Sequence, residues 1–95
     1  MNESELVEFA TKEGINGKAN DFPGGNAELF FGFKQFSIDG TDVWERGVFV
    51  EKLEKGWIGY FSQSGKTRIL NDNEIKNFVL ELKNSEDVRI FKKYQ

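Results

Sequence analysis

Leu29-Phe30-Phe31-Gly32-Phe33-Lys34-Gln35-Phe36-Ser37-Ile38-Asp39-Gly40 is the stretch whose reading sets the architecture. Residues 29–33 are apolar on both faces of an extended chain, and Phe36 and Ile38 continue the run. That pattern suits a central strand, with Gly32 as the place for a bulge. Asp39-Gly40 then carries a strong tight-hairpin signal, because both residues tolerate the positive φ that a two-residue turn demands.

The returning strand runs over about 42–53, with Val48 and Val50 on one face and Phe49 and Leu53 on the other. Glu54-Lys55-Gly56 turns the chain into Trp57-Ile58-Gly59-Tyr60-Phe61. Ser62-Gln63-Ser64-Gly65 makes a third turn, and Thr67-Arg68-Ile69-Leu70 reads as a short fourth strand. Four strands joined by short turns describe an antiparallel meander.

Helical spacing flanks this block. Leu6, Phe9 and Ala10 fall at i, i+3, i+4 within residues 3–13, Asn2 and Glu5 have capping-box spacing, and Gly14 stops the helix. Ile75, Phe78, Val79 and Leu82 repeat the pattern behind Asn71 and Glu74. Residues 14–27 hold four of the ten glycines and the only proline, show no core periodicity, and read as a long Gly-rich loop. Val88-Arg89-Ile90-Phe91 offers a final strand. The expectation is therefore one α+β domain over residues 1–95, in two layers. An antiparallel meander sheet of four to five strands carries an N-terminal and a C-terminal helix on one face, in the order αββββα with a β after it.

Composition then restricts the chemistry. The chain has ten Phe, two Trp and two Tyr but no His and no Cys. No side chain has an ordinary pKa near neutrality, and no thiolate serves as nucleophile or metal ligand. Gly59-Tyr60-Phe61-Ser62-Gln63-Ser64-Gly65-Lys66-Thr67 resembles a phosphate loop only superficially, since five residues separate the glycines and a strand follows. Asn71-Asp72-Asn73-Glu74 lacks the glycine and ligand alternation of a calcium loop and reads as a helix cap. No spacing selects a carboxylate pair for acid–base work. These residues indicate no enzyme, no cofactor and no metal site.

The acidic start, Met1-Asn2-Glu3-Ser4-Glu5, lacks the basic and apolar regions of a signal peptide, and no apolar run approaches a membrane span. The reading is a cytoplasmic chain with no membrane partner. Net charge is −3, which argues against a dedicated duplex-DNA binder.

What remains is recognition by aromatic surface. A one-sided helix layer leaves some rings on the far face or at an edge, and Trp, Tyr and Arg dominate binding hot spots. The leading expectation is a small non-enzymatic protein-binding module of the inhibitor, immunity or adaptor type, as small acidic bacterial or phage chains often are. Its expected contacts are Trp44, Glu45, Arg46 and Trp57, with Asp39 and Asp42 at the rim. The alternative is a single-stranded nucleic-acid binder using Trp57, Tyr60, Phe61, Lys66 and Arg68, which net acidity weakens. A third reading buries the open sheet face against a second copy of the chain, as a homodimer.

Overall fold

The computed structural model describes residues 1–19, 29–61, 65–84 and 93–95, and for residues 33–36, 42–46 and 61 the backbone alone. Helix α1 (Glu3–Lys12) precedes strands β1 (Asn16–Ala19), β2 (Leu29–Ile38), β3 (Thr41–Leu53), β4 (Gly56–Phe61) and β5 (Gly65–Lys66), and helix α2 (Asp72–Leu80) follows them. A single 3₁₀ turn over Glu81–Lys83 extends α2. The strands form one antiparallel sheet whose spatial order is the chain order. The α+β class and the meander are as expected.

Both helices start as their sequences dictate. Asn2 accepts from the Glu5 backbone N–H at 2.8 Å while Glu5 accepts from the Asn2 backbone N–H at 2.9 Å. Asn71 and Glu74 make the same reciprocal pair at 2.8 and 3.0 Å. Each box satisfies two of the N–H groups that a helix start leaves without intrahelical partners.

One sheet face and both helices share the core. Leu6 and Ala10 of α1 and Ile75, Phe78 and Val79 of α2 meet Leu29, Phe31, Val48, Val50 and Trp57 of the sheet. Gly59 lies beneath Phe78, where a Cβ would come within 2.5 Å of the ring, so the missing side chain lets α2 approach β4.

The structure departs from expectation in three places. First, the segment read as loop contains β1, so the order gains a strand after α1. Asn16–Ala19 pairs with Leu29–Gly32, and Gly17 gives the Phe31 ring room on the core face. Four small or polar residues at a sheet edge carry no apolar alternation, which hid the strand; residues 20–27 of that predicted loop lie outside the described residues. Second, Gly32 is not bulged but faces Gly47 in regular register. The irregularities fall between Phe33 and Lys34 and between Lys34 and Phe36. Third, only Gly65–Lys66 pairs as β5. The Thr67 hydroxyl accepts from the Gly59 N–H at 3.0 Å, the Arg68 N–H turns away to the Tyr94 carbonyl at 2.8 Å, and Leu70 returns to β4 as an isolated bridge with Trp57. The predicted final strand, residues 88–91, lies outside the described residues.

The hairpins follow the sequence signals. Asp39 and Gly40 have φ of 50° and 80°, and Ile38 pairs with Thr41 across them.

Candidate docking face

Strand alternation sends every second residue to the face opposite the helices, and the register brings those residues into line. Lys18 of β1 faces Phe30 of β2, Phe30 faces Phe49 of β3, Phe49 faces Tyr60 of β4, and Tyr60 faces Lys66 of β5. Three aromatic residues thus cross the middle of the sheet in one row with a lysine on each outer strand. At the usual strand separation the row spans about 19 Å.

Its relief is set locally. Phe30 is only 6% exposed, although it lies outside the helix-side core. Its ring covers Gly47, where a Cβ would come within 2.5 Å, and meets Phe49 at 5.2 Å with a 57° tilt. The facing pair Gly32 and Gly47 supplies no Cβ on this side, and the Phe30 ring occupies part of that space. Phe49, Ile58 and Tyr60 are half-buried, whereas Lys18 and Lys66 are exposed.

Tyr60 is held in place. Its hydroxyl donates to Glu51 Oε2 at 2.6 Å, and that carboxylate, with some burial, pushes the phenol up to about 12. The ring therefore stays neutral and oriented across the physiological range. A carboxylate acceptor makes this a short, charge-assisted bond.

The residues expected from sequence scatter. Trp57 is a correction to both candidate sets, because it is 0% exposed and belongs to the core. Its indole N–H donates to Asp72 Oδ1 at 2.8 Å, so its polar edge is satisfied inside the protein. Asp39 is exposed in the hairpin turn. Along β3, Asp42 faces Ser37, Trp44 faces Lys34 and Arg46 faces Phe33, while the register passes over Glu45. The side chains of Asp42, Trp44, Glu45 and Arg46 lie outside the described residues. In the second set, Tyr60 and Lys66 are neighbours on the outer face, the Phe61 side chain lies outside the described residues, and Arg68 pairs with Glu74 at 2.7 Å.

The row also brings in Phe30, Phe49 and Lys18, and with Tyr60 the carboxylate of Glu51, none of which belongs to either candidate set. Parity already put Phe49 opposite Val48 and Val50; the overlooked signal was the register fixed by the two hairpin turns, which aligns Phe30, Phe49 and Tyr60.

On the helix side, Asp72 ties three elements together. It accepts from Trp57 of β4, sits at the start of α2, and binds the Met1 amino group at 3.0 Å. The Trp57 bond is the chief reason its carboxyl titrates below the usual range, and the Met1 amine adds to it. Glu74 is lowered too, by its cap bond at Asn71 and by Arg68. Carboxyls with depressed folded pKa stabilise above the unfolded value, and that stability disappears as pH falls through the folded value. Thermal unfolding followed by circular dichroism is accordingly expected to show melting temperature dropping below about pH 4. Asp72→Ala should lower the whole curve and flatten its acid limb. An unchanged acid limb would assign the transition to other carboxyls.

An open hollow of about 560 Å³ beside the start of α2 is lined by Met1, Lys52, Lys55 and Asp72, but Asp72 is already engaged there. Among the described residues no group of three or more acidic side chains is placed to hold a metal ion, and no helix is long and apolar enough to cross a membrane.

Together these features define an α+β protein with its helices on one face of a five-stranded meander and an aromatic row on the other. Compared with family models, curated proteins and solved structures, the chain matches none of them.

Proposed function

We propose that this protein is a small non-enzymatic module, of the inhibitor, immunity or adaptor type, that docks a protein partner through the outer face of its sheet. The observation that carries the reading is the aligned row Phe30–Phe49–Tyr60, half-buried at two of its three positions and with Tyr60 fixed by Glu51. Rigid aromatic side chains lose little conformational freedom on contact, and Tyr is enriched among the few residues that carry most of the energy of a protein interface. Among the described residues no helix packs on this face.

The nucleic-acid reading retains Tyr60 and Lys66. Burial of Trp57 and the pairing of Arg68 with Glu74 remove one stacking platform and engage one cation.

Capture from lysate of the source organism, with nuclease present throughout, tests the proposal. The native chain is expected to retain one protein in stoichiometric amount. Phe49→Ser with Tyr60→Ser should weaken that complex about 30-fold or more, as hot-spot truncations do, while the circular dichroism spectrum stays native. Undiminished capture by the double variant would remove this face from consideration.

A further inference from the structure

We infer that the partner seated on this face is an acidic protein segment, one that brings a carboxylate to Lys66 beside an apolar centre resting on Phe49 and Tyr60. This deepens the docking reading and rests on it. Several other cations are already engaged within the protein. Arg68 is paired with Glu74 at 2.7 Å and Lys83 with Glu13 at 3.1 Å, and Lys93 binds Glu81. Lys52 donates to the Leu53 carbonyl and lies over the Trp57 ring. Lys66 differs from these. It is exposed, it stands directly opposite Tyr60 on the outer strand, and it has no ion-pair partner among the described residues.

Tyr60 consequently has an ammonium across from it on β5 and the Glu51 carboxylate on β3 at its hydroxyl. That two-signed frame discriminates between anions. A single strand of nucleic acid carries a phosphate at every nucleotide and, laid along the row, brings one close to Glu51. A peptide places its charges selectively. It can set a carboxylate at Lys66 and an uncharged side chain at Phe49, leaving Glu51 to its bond with Tyr60. Charge complementarity of this kind governs partner choice and association rate more than total affinity.

The test uses the full chain and fluorescein-labelled short peptides that share one Val-Phe-Val-Tyr centre and are flanked by Glu, by Gln or by Lys. Labelled oligothymidine is the competing probe, and anisotropy is read at low and high salt. The Glu-flanked peptide is expected to bind tightest and to weaken with salt. Lys66→Gln should weaken it about three-fold and Lys66→Glu about ten-fold, with the Gln-flanked peptide little affected. Equal binding of all three peptides, absence of binding, or indifference to Lys66→Glu overturns the inference. Tighter binding of oligothymidine overturns it in favour of nucleic acid. A doubled mass by light scattering, lost in the Phe49/Tyr60 double variant, overturns it in favour of a second copy. The two proposals fail separately. If the peptide order is wrong while that double variant still loses its lysate partner, docking stands and the acidic partner falls.

Discussion

Trp57→Ala is expected to lower stability by about 3–5 kcal/mol, the range for removing a large aromatic from a packed core. A chain of this size has roughly 5–14 kcal/mol in total, so the variant should melt far below the native protein or fail to show a cooperative transition. The large effect follows from position. Trp57 has no exposed surface, lies in the cluster that includes residues of both helices, and pairs with Leu70 on the far side of β4. Its indole N–H also has a dedicated acceptor in Asp72. Trp57→Phe separates the two contributions, since it retains a ring but removes the indole donor to Asp72 Oδ1, and should cost markedly less than the alanine change. Guanidinium unfolding followed by far-UV circular dichroism checks both. A Trp57→Ala protein that melts like the native chain yet loses its partner would return Trp57 to the surface.

The second large effect is expected at Gly56. A Cβ there would come within 2.5 Å of the Leu70 carbonyl oxygen, the same oxygen that accepts the Trp57 N–H at 2.9 Å. The nearest obstruction is backbone, which cannot yield as a side-chain end would, and the φ of 154° at Gly56 adds strain of its own. Gly56→Ala should therefore break the Trp57–Leu70 bridge and cost about 2–4 kcal/mol in local strain and lost hydrogen bonding. Gly40 supplies the control. Its φ is 80°, but a Cβ at that position would meet nothing within 4 Å. Gly40→Ala should cost only the conformational penalty, about 1–2 kcal/mol. At roughly 4–8 °C per kcal/mol, thermal melts separate the two variants clearly. Equal losses at the two glycines would show that contact with Leu70 is not what constrains Gly56.

These positions also show which parts of the molecule a sequence reader sees. Asn2 with Glu5, Asn71 with Glu74, and Asp39-Gly40 act over three or four residues, so their chemistry is visible in the chain and appears as expected. Strand β1 was invisible because its partner lies on β2, beyond an intervening stretch, and its own four residues have no alternation. Trp57 was misplaced for a related reason. Alternation put it and Tyr60 on opposite faces, correctly, but nothing local says which face the helices cover. The aromatic row was legible in principle. The Glu54-Lys55 turn sets Phe49 against Tyr60, and the Asp39-Gly40 turn sets Phe30 against Phe49. The second alignment survives only because the two irregularities near Lys34 cancel, one residue being passed over on each strand. That cancellation is a property of the folded hairpin and leaves no trace in composition or spacing.

A sheet whose spatial order copies its chain order also has a bearing on how the protein assembles in time. The pairings of β2 with β3 and of β3 with β4 are made across two-residue turns, among the cheapest closures a chain can make. The contacts that tie the helix layer together, Met1 to Asp72 and Lys83 to Glu13, span 71 and 70 residues. We expect the hairpins to organise the transition state and the helix clasp to close after it. The destabilisation caused by Asp72→Ala would then appear in stopped-flow experiments as faster unfolding with nearly native refolding, and a slowed refolding limb would place the clasp in the nucleus. On that account the helices act as the latch that sets how long the folded state lasts.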